Sequence, residues 1–512
     1  MGIQTHWIQD FKGFSDKASP GASPIITNDL MNVKMVHGQV RPRNGLNKYN
    51  AISDVSSAEI IGLFNFPRSG TTNPGTHQLI RMLPTKLEYL SGGSWVDGTG
   101  TALTGAVTTR PQHALIDDTF VFTNEGEDLP RKFTGAGTSS SIAGGTSPYC
   151  KAIQHYLGFL MLGNISDSGS FADLVDGSRT IRYSDDWDND WVLCNGTEIV
   201  LWETAGALLR MLVLGRDLMC YKDDGLIRVT WVGGNVVFKQ EKVDFDIGFV
   251  SPLAIRAVND EVHIGLGNDG VLYAITSSEV TPLTYDSLYK TVPTTLSLGK
   301  LKYARMADNP EEGVLYLFYD RTGLSGQLLD SYVAFNYRDK TVVKGRLGKQ
   351  IISCETFRPT SLAAIDLVLG TATLVEEFDT GTGVDDDGAA ISSYWTTGPQ
   401  NLSEEGWLVG SRLIFDKPTG KAPYVEVSVA VNGSNSFEFP EVFRISGGAV
   451  DDDFVEVSYR PPAIFGNFFN LKVKFKSSSL NAGVELRRVG LEISSMRTIR
   501  TRPERESEVL SL

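Results

Sequence analysis

HQLIRMLPTKLEYLSGGSWV, residues 77–96, contains three short apolar runs separated by Pro84-Thr85 and Gly92-Gly93. Such dipeptides favour tight turns, and short apolar runs between turns are typical of strands. Together with the run at residues 59–66, this stretch predicts four strands joined by hairpins. One small antiparallel sheet cannot bury both of its faces alone, so the unit requires neighbours of the same kind.

The unit recurs along the chain. We place the first strand of successive units near Glu59, Gln112, Cys150, Ile199, Pro252, Tyr303 and Ile352. Their mean spacing of about 49 residues is typical of propeller blades, each of which has four strands. The pattern therefore predicts an all-β chain with a six- or seven-bladed β-propeller, the alternative being an irregular set of packed sandwiches. The Gly/Ser-rich segment 134–147 predicts a projecting flexible loop.

The sequence changes character after residue 378. Residues 379–388 are acidic and glycine-rich, and from Tyr394 onward the strands lengthen, with clean alternation over residues 471–475. This favours a separate C-terminal β-sandwich of about 100 residues. The predicted division is an N-terminal arm with a closing strand (1–50), the propeller (51–378), an acidic linker (379–393), the β-sandwich (394–496) and a C-terminal arm (497–512).

Composition limits the class of function. The 512 residues include 47 Lys and Arg against 61 Asp and Glu, a net charge of −14, and 41% are hydrophobic. This composition supports a substantial core and disfavours a duplex-binding protein with a basic face. The apolar run 208–214 is interrupted by Arg210 and falls short of the ~18 residues of a membrane span. The first residues lack the order of a secretory signal, so we expect a soluble protein made in a cytosol.

Motifs for catalysis or metal binding are lacking in the sequence. The four cysteines are far apart, at positions 150, 194, 220 and 354, which excludes zinc ribbons and redox dithiols and favours reduced thiols. No H-x-x-x-H, G-x-S-x-G or phosphate-loop pattern is present. We therefore expect no enzymatic activity, no catalytic residue, no bound cofactor and no metal ion.

The densest acidic run is DDWDNDW, residues 185–191. Alternate carboxylates can surround a hard cation, and the candidate ligands are Asp185, Asp186, Asp188 and Asp190. The run lacks the glycine and distal glutamate of an EF-hand loop. Ser184, Asp186 and Trp191 instead approach the S-x-D-x-G-x-x-W hairpin box of sialidase-like propellers, with Asp188 in place of glycine. In that box the aspartate holds the turn and the tryptophan packs between blades, so a structural turn is the favoured interpretation.

A carbohydrate-active propeller is the alternative class. A glycosidase needs two carboxylates beside one pocket, and different blades can supply them. With 61 acidic residues, sequence alone selects no pair. A sialidase also needs an arginine cluster for the substrate carboxylate, for which we find no motif. Glycan binding or sialidase-like cleavage at a virion or cell surface therefore stays open.

Several segments resemble tail proteins of bacteriophages. They are FKGF at 11–14, SPGASP at 19–24, LMNV at 30–33, RPRNG at 41–45, residues 124–132, residues 181–191, and residues 316–318 with 333–337. The first four are similar to the "G-G", "L-x-N-x" and "R-x-G" stretches that lead into the propeller of those proteins. The order of propeller, sandwich and short arm resembles the tail hub or nozzle proteins of short-tailed phages.

This resemblance implies a structural role in the virion tail, with assembly in the host cytoplasm. Such proteins form a homo-oligomeric ring, commonly a hexamer, at the end of the tail channel. Double-stranded DNA passes through the ring without sequence-specific contact, and the ring helps to retain the packaged genome until ejection. The implied neighbours are other tail proteins, such as an adaptor, a tail fibre or a needle.

Two residue sets follow from the ring interpretation. Carboxylates give passing DNA no deep binding minimum, so the candidates for facing the channel are Asp385, Asp386 and Asp387, together with the loop 185–190. The candidates for docking to an acidic neighbour are Arg497, Arg500, Arg502 and Arg505. The alternatives are solvated turns for the acidic loops and a frayed tail for the arginines.

Overall fold

The structure is a computed structural model. It describes residues 3–14, 26–27, 29–49, 56, 58–68, 76–166, 176–189, 191, 197–233, 237–244, 247–283, 298–321, 327–359, 364–379, 386, 391–397, 400–416, 424–432, 434, 436–445, 454–462, 464–476 and 485–495. These are called the described residues below.

Seven short strands come first in the chain. They are β1 (Ile3–Ile8), β2 (Gly13–Phe14), β3 (Ile26–Thr27), β4 (Leu30–Met31), β5 (Val33–Val36), β6 (Gln39–Pro42) and β7 (Leu46–Lys48). Among these strands, β5 and β6 form a hairpin and β3 pairs with β2 in parallel, whereas β1, β2, β4, β6 and β7 also pair with strands that are distant in sequence. Gly13 has a φ of 93°, and a Cβ atom there would overlap the carbonyl oxygen of Val342, so the parallel approach of β2 to its partner requires glycine.

Five four-stranded antiparallel sheets follow in chain order. Sheet 1 contains β8 (Gly62–Arg68), β9 (Thr76–Met82), β10 (Leu87–Ser91) and β11 (Ser94–Asp97). Sheet 2 contains β12 (Gln112–Ile116), β13 (Thr119–Thr123), β14 (Arg131–Phe133) and β15 (Ser140–Ser141). Sheet 3 contains β16 (Cys150–Tyr156), β17 (Phe159–Ile165), β18 (Thr180–Ser184) and β19 (Thr197–Val200). Sheet 4 contains β20 (Leu208–Leu214), β21 (Asp217–Lys222), β22 (Leu226–Trp231) and β23 (Phe238–Asp244). Sheet 5 contains β24 (Ile255–Ala257), β25 (His263–Leu266), β26 (Leu272–Ile275) and β27 (Val280–Pro282).

The next two sheets incorporate N-terminal strands. Sheet 6 contains β28 (Arg305–Asn309), β29 (Val314–Tyr319), β30 (Leu329–Asn336) and β31 (Thr341–Ile351), and β2 and β3 extend it at the β31 edge. Sheet 7 contains β32 (Ser353–Phe357), β33 (Asp366–Gly370) and β34 (Val375–Phe378), and its fourth strand is β7. The chain thus returns to its beginning to complete the last of these sheets.

The sheets are arranged in a closed ring. Hydrophobic clusters of described residues lie between consecutive sheets, such as Val121 with Ile153 between sheets 2 and 3. The cluster that contains Leu79 from sheet 1 and Val368 from sheet 7 joins the last sheet to the first. Four-stranded antiparallel sheets packed face to face around a ring form a β-propeller, so the all-β propeller class predicted from the sequence is confirmed.

The C-terminal part forms one eleven-stranded sheet. Seven strands are its own: β35 (Ser393–Thr396), β36 (Gln400–Asp416), β37 (Tyr424–Val431), β38 (Glu438–Arg444), β39 (Phe454–Tyr459), β40 (Ile464–Phe475) and β41 (Leu486–Ser495). The other four are β1, β4, β5 and β6, with β1 paired to β41 and β4 paired to β35. The core of this sheet is continuous with that of sheets 6 and 7, because Trp395, Tyr332 and Leu369 belong to the same buried cluster.

Helices are short and few in the described part of the chain. The one α-helix is α1 (Leu298–Leu301), and the 3₁₀ turns are Ile142–Gly145, Gly177–Arg179 and Pro252–Ala254. Over the described residues, no helix has the length and apolar character needed to span a membrane.

Two sequence predictions need correction. Ile199 lies in the outermost strand of sheet 3, so the fourth unit begins at Leu208 instead. The unit boundary was misplaced because a long connection separates β18 from β19. The segment 134–147 does not project as a whole: it contains β15 and the fully buried Ile142, whose N–H donates to the Pro130 carbonyl at 3.1 Å. Its small side chains allow close packing.

Candidate functional site

The first strands of the seven sheets surround an axial cavity of about 740 Å³. Each of these strands contributes a polar or charged residue to the wall: Asn65, His113, Gln154, Arg210, Arg256, Asp308 and Glu355. Apolar residues such as Leu115 and Leu212 also line the cavity. The wall therefore carries one polar or charged side chain from each first strand among apolar ones.

An ion pair crosses the cavity from sheet 5 to sheet 7. The guanidinium of Arg256 donates through both Nη atoms to the carboxylate of Glu355, with 3.3 Å between Nη1 and Oε2. Glu355 Oε1 also accepts a hydrogen bond of 2.9 Å from the N–H of Thr356. Burial opposes the charge of Arg256, but the attraction of Glu355 outweighs it and raises the pKa of Arg256. This pair is electrostatically satisfied.

Two further arginines bind only backbone carbonyls. Arg210 Nη1 donates to the carbonyls of Pro252 at 2.7 Å and Ile255 at 2.9 Å. Arg305 Nη2 donates to the carbonyl of Ile61 at 2.8 Å. Burial lowers the pKa of each of these arginines to about 10. Among the described residues, neither guanidinium forms an ion pair with a carboxylate.

The acidic and aromatic groups of the wall are also perturbed. Burial raises the pKa of Asp308 to about 6, although Arg256 and the hydroxyl of Tyr337 oppose this shift. Burial likewise lowers the pKa of His113 to about 4, so this imidazole is neutral at pH 7. The wall of the axial cavity thus contains the buried cations Arg210 and Arg256, the paired carboxylate of Glu355 and the carboxyl group of Asp308, which titrates near pH 6, and Arg305 lines a small pocket beside it.

The sequence analysis did not propose any of these wall residues as part of a site. The available signal was a charged or polar residue inside the apolar first strand of each unit, as with Arg210 in the run 208–214. A polar residue in the first strand of one unit predicts little. A polar residue in the first strand of every unit indicates that these side chains meet at a common axis. The structure therefore brings together arginines and carboxylates that are up to about 145 residues apart in sequence.

Residues 185–189 of the acidic run form a turn. Asp186 accepts hydrogen bonds from the backbone and side chain of Asn189, and Asp188 pairs with Lys132 and accepts from the N–H of Ala143. Trp191 is fully buried between sheets 2 and 3. Asp185 is exposed, Asp190 lies outside the described residues, and no group of metal-ligating side chains occurs among those described.

The other candidate residues are placed as follows. Asp386 is 1% exposed and pairs with Arg43, with 2.6 Å between Oδ2 and Nη2. It therefore lies in the interior and does not line a channel as a solvated carboxylate. Asp385, Asp387 and the four arginines from Arg497 to Arg505 lie outside the described residues.

The described cysteines are all buried thiols. Cys150, Cys220 and Cys354 are free, and burial raises the pKa of each. The pKa of Cys150 and of Cys354 rises to about 12, so neither thiol ionises near neutral pH. Cys194 lies outside the described residues.

Comparison with known proteins gives only weak structural likenesses. No protein-family model matches the chain, and no curated protein matches it either. The WD40 domain of Neurospora crassa Pan2 has a TM-score of 0.35 at 9% identity, covering 65% of this chain and 98% of that domain. Saccharomyces cerevisiae Sqt1 has a TM-score of 0.37 at 8% identity, covering 66% and 100%. YCF48 bound to D1 peptide has a TM-score of 0.38 at 11% identity, covering 69% and 100%. Scores of this size carry no functional argument.

Proposed function

We propose that this protein is a structural component of a phage tail, a hub or nozzle subunit that forms a ring at the DNA exit channel. In this role it helps to retain the packaged genome and conducts it into the host during ejection. The sequence resemblance suggests the role. The observation that supports it best is the way in which the N-terminal segment joins the two parts of the chain.

The described strands of the N-terminal segment pair with both the propeller and the C-terminal sheet. The strand β7 pairs with β34 of sheet 7, and β2 pairs with β31 of sheet 6. The strands β1 and β4 pair with β41 and β35 of the C-terminal sheet. Backbone hydrogen bonds thus join the two parts through one segment. This construction suits a subunit that must keep its shape against the pressure of packed DNA.

The finer architecture belongs to the same proposal. We interpret the seven sheets as seven blades of one propeller, and the eleven-stranded sheet as a β-sandwich that includes N-terminal strands. The lateral faces of both parts would then be available for contacts between copies in a ring.

The DNA path in this proposal runs between subunits. The Arg256–Glu355 ion pair crosses the propeller axis, and the cavity along this axis has a volume of about 740 Å³. Duplex DNA, whose major groove alone is about 12 Å wide, does not fit through this space. A duplex therefore needs the lumen of a ring of several chains. The net charge of −14 per chain would disfavour strong phosphate contacts along such a lumen.

Electron microscopy of the purified chain, with light scattering to give its mass, tests the proposal. We expect a closed ring whose lumen exceeds the roughly 20 Å width of a duplex. A stable monomer would contradict the ring. A monomer that also bound acidic glycans on an array would favour the carbohydrate-active alternative, which the arginines and carboxylates of the axial cavity support.

A further inference from the structure

We propose that the inner end of the axial cavity is a binding site for a carboxylate group, held by Arg210, Arg256 and Arg305. The proposal does not depend on the tail function, because it rests on the charges and the shape of the propeller axis alone. Its ligand is a short carboxylic acid or a carboxylate at the end of a longer molecule.

The site is a small pocket of about 40 Å³ that opens into the axial cavity. The two spaces share Arg210, Arg256 and Glu355 in their walls, and Arg305 lines the inner pocket only. One water molecule needs about 10–15 Å³ measured in this way. The pocket therefore has room for a group of a few atoms, which fits a carboxylate.

The charges of the pocket are unbalanced. Three guanidinium groups line it, whereas its carboxylate is Glu355, which already pairs with Arg256. The hydrogen bonds of Arg210 and Arg305 go to neutral carbonyls and use one Nη atom of each. Both cations are thus buried without a carboxylate bonded to them among the described residues, although Glu355 acts on Arg210 and Glu125 on Arg305 from a distance. Burial of a cation without a paired anion is unfavourable in a protein interior.

A carboxylate matches this surplus in charge and in geometry. The guanidinium fork donates two parallel hydrogen bonds to a planar carboxylate, and such charge-assisted bonds are stronger than neutral ones. The remaining wall includes Leu63, Met211 and Met306, which suit a methyl or short aliphatic stem beside the charged end. His113 is neutral at pH 7 because burial lowers its pKa to about 4, so it adds no further charge.

Binding of ¹³C-acetate in a low-chloride buffer, followed by NMR titration, tests the site. We expect one acetate per chain, and the R210Q variant should weaken binding by at least about tenfold, since it removes a charge-assisted contact with the ligand. The matched control is R216Q, because Arg216 is exposed in the turn after the same strand. It should bind as the wild type does. Equal binding by R210Q and the wild type would overturn the proposal.

A second variant should strengthen acetate binding instead of weakening it. Glu355 competes with the ligand for Arg256, so E355Q should bind acetate at least about threefold more tightly. A general loss of packing would weaken binding in both variants, so this gain separates a ligand site from a structural role. Failure of E355Q to bind more tightly, with its fold intact by circular dichroism, would contradict the inference.

A pentapeptide with a single glutamate, an acetylated N-terminus and an amidated C-terminus distinguishes the sources of the carboxylate, because its side chain is then its one carboxylate. If acetate and the peptide both bind and both respond to R210Q, the site accepts a side chain of a polypeptide. If acetate alone binds, the ligand is a free short acid. Either result supports the site, and absence of binding by both probes would refute it.

Discussion

Arg43 and Asp386 form an ion pair of which each side chain is only 1% exposed. Arg43 also donates to the carbonyls of Asn44 and Arg346, at 2.8 and 3.1 Å, and Asp386 accepts from the N–H of Gly348 at 2.7 Å. Removing one partner of such a pair leaves a buried, uncompensated charge, which is much more costly than the pair itself is favourable. The pair also joins the N-terminal segment to the residues that follow sheet 7.

We expect D386N to lower the free energy of unfolding by about 3–5 kcal/mol, measured by urea denaturation. The control is K86Q, which breaks the exposed pair of Lys86 with Asp97 and should change stability by less than about 1 kcal/mol. Equal effects of the two variants would show that the buried Arg43–Asp386 pair contributes no more to the free energy of unfolding than an exposed pair does.

Asp308, in the wall of the axial cavity, makes the stability of the folded protein depend on pH. Burial raises its pKa to about 6 in the folded state, from 3.8 as the ordinary value. Between these two pH values the folded protein binds more protons than the unfolded chain, so this residue destabilises the fold increasingly as pH rises. Above about pH 6.5 the full penalty, about 3 kcal/mol, is present.

The D308N variant cannot ionise, so its stability relative to the wild type should change with pH. The two proteins should be similar near pH 4, and D308N should be more stable by about 3 kcal/mol above about pH 6.5. Urea denaturation across this range measures the difference. D260N, at an exposed aspartate, should follow the wild type. A constant difference between D308N and the wild type would exclude a shifted carboxyl group.

At the scale of elements, β7 differs from the other outermost strands of the ring. It comes from the beginning of the chain and pairs with β34, with Leu46 opposite Phe378. Leu46 is buried in the cluster shared by sheets 6 and 7 and the C-terminal sheet. No tight turn connects this strand to its partner, so its side chains and its backbone hydrogen bonds alone keep it in place.

We expect L46A to lower the free energy of unfolding by about 2–5 kcal/mol and to increase hydrogen exchange in β34. The control is V96A in β11, an outermost strand that a hairpin connects to its neighbour and whose Val96 is 37% exposed. It should cost less than about 1 kcal/mol. Unchanged exchange in β34 would show that β7 does not secure the ring.

The sequence predicted strands better than it predicted their partners. The three strands predicted within residues 77–96 correspond to β9, β10 and β11, since alternation and turn residues are local signals. The assignment of Ile199 to the wrong sheet shows the limit, because β19 has the same strand pattern in either sheet. Sheet membership depends on which neighbour buries the strand, and a single sequence does not contain that information directly.

At the scale of the whole molecule, the same limit applies to the site. The polar axis joins residues from seven separate strands, and no spacing rule links Arg210 with Glu355 in the sequence. The pairing of Arg43 with Asp386 is equally non-local, so an acidic loop expected to be solvated contains a buried residue. Local sequence patterns thus predict the class of the fold. The pairing of charges in its interior depends on contacts between residues that are distant in sequence, so it is seen only in the folded structure.

The position of β7 also has a consequence for protein synthesis. Its partner β34 leaves the ribosome roughly 330 residues later, which takes tens of seconds at 5–20 residues per second. The pairing of β1 with β41 waits longer still. During this time β1 and β7 lack their partner strands and present open edges, for which a chaperone would be useful. Chains that stop before residue 486 lack β41 altogether, so prematurely terminated products cannot complete the fold and are excluded from any assembly built on it.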